Sequence, residues 1–135
     1  MTHSSSIHVL VIDDDSADRM LLRLLLERNR DGDETIISIV EAASLAEASV
    51  AIQKARFDVV LLDLGLPESS GIDTLPNFRR IDTTTPFIVL SGLGEPDVRE
   101  AAEAIGAVGC VQKGTIGANE LRALIREAAS MRQPG

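Results

Sequence analysis

The sequence predicts a three-layer α/β domain: one parallel sheet of five strands with helices on both faces. Three observations carry this. Short apolar runs rich in β-branched residues alternate strictly with longer segments bearing helix signals. The runs are apolar throughout instead of alternating in polarity, as strands buried on both faces must be. The 135 residues, 44% of them hydrophobic, suffice for one core and fall short of two ordinary domains.

Taken in order, the strands are expected at Ile7–Ile12, Thr35–Val40, Val59–Leu62, Pro86–Leu90 and Val108–Gln112. Helices are expected at Ser16–Asn29, Ser44–Ala55, about Ile72–Ile81, Pro96–Ile105 and Gly117–Ser130. Ser44-Leu-Ala-Glu47 is a capping box, Pro96 suits a first helical position, and the Gly32 and Gly106 regions follow helix ends. Pro76 lacks a backbone donor and should kink or shorten the third helix unless it falls in the first turn. Strand-helix-strand alternation implies right-handed crossovers. The whole chain, 1–135, reads as one domain with its core at about 7–130 and loose ends at Thr2–Ser6 and Met131–Gly135. The closing Gln-Pro-Gly suits a terminus or the start of a linker.

The net charge of -8, from 21 acidic against 13 basic residues, argues against direct binding of nucleic acid phosphates and favours cations or basic partners. Cys110 is the single cysteine and is expected to be a buried small apolar residue, without an internal disulfide. No apolar run reaches the roughly 20 residues that span a bilayer, and the N-terminal Met-Thr-His-Ser-Ser-Ser lacks a signal-peptide layout. A cytoplasmic protein without membrane insertion is the expectation.

Chemistry enters at V-L-V-I-D-D-D-S-A-D-R, Val9 to Arg19, where an apolar strand runs into three adjacent carboxylates. Such charges repel one another unless water or a cation offsets them. In open parallel sheets, ligands bind beyond the carboxyl ends of the strands. Asp13 and Asp14 follow the first strand and Asp63 closes the third, so adjacent first and third strands would bring all three acids to one crevice. Each acid alone is as readily a solvated loop residue or cap. Together they suit a hard divalent cation, Mg2+ before others. Ser91 and Lys113 end the fourth and fifth strands, and a hydroxyl and a fixed cation there suit a phosphoryl oxyanion.

With these residues in place, the chain resembles the CheY-like receiver domain of two-component response regulators over nearly its whole length. The matching stretches are V-I-D-D at Val11–Asp14, L-L-D-L-G-L-P at Leu61–Pro67, S-S-G-I-D at Ser69–Asp73, L-S-G at Leu90–Gly92 and V-Q-K at Val111–Lys113. The resemblance implies a flavodoxin-like strand order 2-1-3-4-5. It implies Asp63 as the phosphoacceptor, Asp14 as a direct ligand of Mg2+ or Mn2+, Asp13 acting directly or through water, and the Gly65 carbonyl as a further ligand. Ser91 would be the switch hydroxyl and Lys113 the cation at the phosphoryl group. The donor would be a histidine kinase or histidine phosphotransferase, and an output protein would read the phosphorylated state. Asp15 falls outside the family pattern and reads as a cap of the first helix.

Several positions depart from the family. Gly114 stands where proline is usual, so that loop should differ in shape. Cys110 replaces a common aromatic, so aromatic-rotamer coupling to Ser91 cannot operate as such. Gly65 and Leu93, at positions that tune acyl-phosphate hydrolysis, carry no group able to position water, so slow self-dephosphorylation is expected. In the first helix the family register places Leu22, Leu25 and Leu26 inward and leaves Leu21 and Leu24 outward, where they could dock a helical phosphodonor. The fourth and fifth helices, Asp97–Ile105 and Asn119–Met131, could form the output face. Two rivals use the same residues. Asp13 and Asp15 fit the D-x-D opening of haloacid-dehalogenase-like phosphatases, and a receiver-shaped adaptor would bind partners without phosphorylation.

Overall fold

The computed structural model describes residues 6–27, 35–66, 71–92 and 96–132. Among them the elements run β1 (Ser6–Ile12), α1 (Ser16–Glu27), β2 (Ile36–Ala42), α2 (Leu45–Lys54), β3 (Val59–Asp63), α3 (Thr74–Ile81), β4 (Phe87–Ser91), α4 (Pro96–Ala104), β5 (Gly109–Gln112) and α5 (Ala118–Ser130). All sheet pairings are parallel, in the order β2-β1-β3-β4-β5. This is the predicted class and order. The winding reverses between β1 and β3, which pair directly from Val9↔Val59 to Ile12↔Leu62.

Side chains of each central strand divide by parity between two cores. Leu10, Ile12, Val60, Leu62 and Val89 meet Leu45, Phe78 and Val98 from α2, α3 and α4. Val9, Val11, Val59, Leu61 and Ile88 meet Leu22, Leu26, Leu121 and Ile125 from α1 and α5. The α5 face packs so closely on β5 that a Cβ at Gly109 would lie 2.9 Å from Leu124 Cδ2.

Local signals mostly hold. Ser44 Oγ accepts from Glu47 N at 3.1 Å while Glu47 Oε1 accepts from Ala43 N at 3.0 Å, closing the start of α2 on both sides. Pro76 is the third residue of α3, after a single 3-10 turn at Gly71–Asp73, so it sits in the first turn, where its missing donor costs nothing. Gly106 ends α4 with φ +92°. Observed strand ends differ from the expected ones by a residue at most, except at β2, which continues two residues to Ala42 because Glu41 and Ala42 still pair with Val11 and Ile12. The Gly32 region and both chain ends lie outside the described residues.

Arg122, on α5, is almost fully buried and was not anticipated. Its guanidinium donates to the Leu26 carbonyl at the end of α1 and, at 2.6 Å, to the Thr35 carbonyl just before β2. It ties three elements together through two backbone carbonyls of different parts of the chain. Arg122→Met should therefore lower stability by about 3 kcal/mol, since it removes two charge-assisted hydrogen bonds to buried backbone, each worth about 1.5–3 kcal/mol. Urea unfolding checks this, with a midpoint unchanged from wild type counting against it.

Candidate functional site

Every polar group of interest lies at the carboxyl edge of the sheet. Asp13 follows β1 directly; its N–H donates to Ala42 O at 3.0 Å, so the ladder with β2 carries the chain one residue past the strand. Its carboxylate is fully buried, with Oδ1 accepting from Asp15 N at 2.9 Å. Oδ2 has no aligned donor, only the charge of Lys113 Nζ 2.9 Å away. Asp63 ends β3, 5% exposed, and its Oδ1 accepts from Gly65 N at 3.1 Å. Asp14 is exposed. One carboxylate oxygen from each of Asp13, Asp14 and Asp63 lies within 4.8 Å of the others. The three acids thus converge as expected, and an all-carboxylate donor set with a buried, undonated oxygen fits a hard divalent cation.

Ser91 ends β4 and Lys113 follows β5, linked by Lys113 N–H donating to Ser91 O at 2.8 Å. The Ser91 hydroxyl is turned toward β5, donating to Val111 O over a long 3.5 Å. Lys113 Nζ reaches Asp18 Oδ2 at 2.6 Å, Asp13 Oδ2 at 2.9 Å and Asp63 Oδ1 at 3.5 Å. Gly114 takes φ +84°, which proline cannot adopt, so the loop after Lys113 has the different shape expected from its sequence. Cys110 is half-buried against the core shared with α4. Leu93 and residues 67–70 lie outside the described residues.

Asp15 caps α1: Oδ1 accepts from Ala17 N at 2.9 Å and Asp18 N at 3.4 Å. Arg19 was missed. Its Nη1 donates to Asp13 O at 2.5 Å, while its Nε pairs with Glu41 at 2.8 Å. Glu41 also takes Arg23 at 2.7 Å, and the Arg23 and Arg19 hydrogen bonds hold its carboxyl below the usual range. The signal was available as arginines one helical turn apart on α1 and a lone acid in β2. Asp18 was missed too, because nothing in its spacing says which way it turns.

Burial pushes the Asp63 carboxyl up from 3.8 to about 6, with the charge of Asp13 adding to the rise and Gly65 N–H and Lys113 opposing it. Burial lowers the Lys113 ammonium, but the carboxylates of Asp18, Asp13 and Asp63 around it hold it above the ordinary lysine range. For Asp63 the folded value exceeds the unfolded one. Its favourable contribution is therefore complete below about 3.8 and lost as pH rises through about 6, a penalty on the order of 2 kcal/mol at neutral pH. In chelator, Asp63→Asn should be more stable than wild type at pH 7.5. Urea unfolding at stepped pH should find that gap closing between about 6 and 4, and a gap constant with pH would contradict the assignment.

Residues 9–126 match the family model for the response regulator receiver domain. The cell cycle transcriptional regulator CtrA of Caulobacter vibrioides is 37% identical over 100 residues, 73% of this chain and 40% of CtrA. Sporulation initiation phosphotransferase F of Bacillus subtilis is 31% identical over 100 residues, 74% of this chain and 76% of that protein. A receiver domain protein from Clostridium thermocellum superposes with TM-score 0.75 at 29% identity, covering 92% of this chain and 94% of that one. The chain spans 40%, 17% and 50% of CtrA, RpfC and KdpE, which are longer proteins. No helix among the described residues is long and apolar enough to cross a membrane. With its sheet order, its convergent acids and a family match over most of its length, this chain belongs to the receiver domains of two-component response regulators.

Proposed function

We propose that Asp63 accepts a phosphoryl group from a phosphohistidine of a histidine kinase or histidine phosphotransferase in the cytoplasm. The observation that carries this is the convergence of Asp13, Asp14 and Asp63 beside Lys113 at one sheet edge. Ionised Asp63 attacks phosphorus as the P–N bond breaks; the imidazole leaves with the electron pair and an acyl phosphate forms on the carboxylate. Lys113 offsets charge on the transferring group, and Asp13 keeps the ammonium at the edge. Asp13, Asp14, Asp63 and the Gly65 carbonyl would hold Mg2+ or Mn2+, which when bound supplies positive charge against the phosphoryl oxygens. Ser91 would exchange its long bond to Val111 O for a phosphoryl oxygen, shifting the populations that an output partner distinguishes. This domain would not bind nucleic acid directly.

The donor's seat is the cleft of about 270 Å³ between α1 and the chain after β5, lined by Leu21, Leu22, Leu25, Leu90 and Ile116. Lys113 lines it too, so a helix lying there would bring its histidine beside the carboxylates. Leu21 and Leu24, 52% and 54% exposed, extend the apolar surface along α1.

Asp63→Asn should abolish uptake of a phosphoryl group from acetyl phosphate with Mg2+, read by intact-protein mass spectrometry. Undiminished uptake refutes the acceptor assignment. An adaptor that works without phosphorylation would show no coupled NMR shifts at Asp63, Ser91 and Lys113 when Mg2+ and then beryllofluoride are added. A Cβ at residue 65 would lie 3.5 Å from Asp63 Oδ2, so a side chain there could direct water to the acyl phosphate, and glycine supplies none. The phosphorylated form should therefore persist for minutes; a decay assay finding loss within seconds contradicts this.

A further inference from the structure

Asp18 is the acid at this edge that neither the cation site nor the helix cap uses. It is the third residue of α1, yet the N–H groups of Ala17 and of Asp18 itself in that first turn are already taken by Asp15. Its own Oδ2 instead lies 2.6 Å from Lys113 Nζ. Asp13 is next at 2.9 Å, and Asp63 Oδ1 is at 3.5 Å, beyond the length of a charge-assisted hydrogen bond. The lysine thus makes its close contacts with Asp18 on α1 and Asp13 at the end of β1, and stops short of the residue it would assist. The Asp18 side chain is 39% exposed where the side chains of Asp13 and Asp63 are 0% and 7%, so water screens its hold, which suits a contact that must be given up.

We propose that Asp18 is a positioning residue that holds the Lys113 ammonium off Asp63 until a phosphoryl group draws it away. The inference rests on the reading of Asp63 as the phosphoacceptor. A phosphoryl group there adds close to two negative charges and oxygens that project past the carboxylate. The ammonium then has a stronger partner than one screened carboxylate. Asp18 also lines the α1 cleft, so losing Lys113 leaves a bare negative charge at the cleft mouth and marks the phosphorylated state on that face.

The test exploits composition: Lys54 and Lys113 are the two lysines of the chain, so lysine side-chain 15N and 13C signals are readily assigned. In metal-free protein, Asp18→Asn should shift the Lys113 side-chain signals and weaken Mg2+ binding about three- to tenfold, because the freed ammonium closes on Asp63 as well as Asp13, and so competes at two of the carboxylates a cation needs. Asp18→Glu should restore most of both. Asp15→Asn removes a neighbouring charge and should leave the Lys113 signals in place. With Mg2+ and beryllofluoride, wild type and Asp18→Asn should converge on one Lys113 position. Lys113 signals identical in metal-free wild type and Asp18→Asn, or shifted equally by Asp15→Asn, overturn the proposal. The two failures are separable: uptake surviving Asp63→Asn refutes the acceptor, whereas uptake lost in Asp63→Asn with unmoved Lys113 signals refutes the positioning role alone.

Discussion

Two nearly waterless carboxylates, Asp13 and Asp63, meet at the end of an apolar sheet, and the polar groups around them are arranged to make that tolerable. Burial and mutual repulsion both favour a proton on one of them, which is why Asp63 is held up to about 6. The opposing help is specific: a backbone N–H from residue 65 for Asp63, another from residue 15 for Asp13, and one shared ammonium. The backbone donors are fixed by the turns that leave each strand. The ammonium rides on a flexible stem and can be redistributed. A receiver therefore keeps its charge imbalance in place and its compensation movable.

The sheet makes the crowding possible. Because β1 and β3 are parallel neighbours, Ile12 sits opposite Leu62 and the next residue of each chain is an aspartate, so the acids are brought level by the ladder itself. Asp63 pairs with Leu90 and Ser91 with Gln112, which sets Ser91 and Lys113 one step further along the same edge. Arg19 adds a tether from outside the ladder by holding the Asp13 carbonyl while leaning on Glu41 of β2. Arg122 does comparable work away from that edge, binding α5 to the end of α1 and the start of β2.

What was legible follows from this geometry. Strand ends can be read from apolar runs, and in a parallel sheet a strand end is also a position in space, so Asp13, Asp14, Asp63, Ser91 and Lys113 could be placed at one edge from the sequence. Asp15 was legible as a cap because capping is local. Asp18, Arg19 and Arg122 were not. Each lies on a helix and acts across to another element, and the direction of a long side chain depends on packing that a periodicity does not encode. The end of β2 was missed for a related reason: Glu41 breaks the apolar run, yet its side chain turns out to Arg19 and Arg23 while its backbone stays in the ladder.

The departures at β5 bear on how such a switch could be transmitted without an aromatic lever. Three side chains reach backbone carbonyls of this short strand from outside it: Ser91 Oγ at Val111 O, Arg99, on α4, at Cys110 O, and Thr115 Oγ1 at Gln112 O. Adjacent carbonyls of a strand point in opposite directions, so these contacts grip β5 from its two sides. A 3.5 Å hydroxyl bond is weak enough for Ser91 to exchange it for a charged acceptor, and doing so releases the Val111 carbonyl from that side chain while Arg99 still holds Cys110 O and the ladder to β4 stays in place. Just beyond, Gly114 supplies a left-handed turn with open space where its Cβ would be, so the segment carrying Lys113 can follow its ammonium without a steric collision at that residue. The small Cys110 side chain and the glycine thus favour a change carried by the backbone of β5 and α4 over one carried by a large rotating ring.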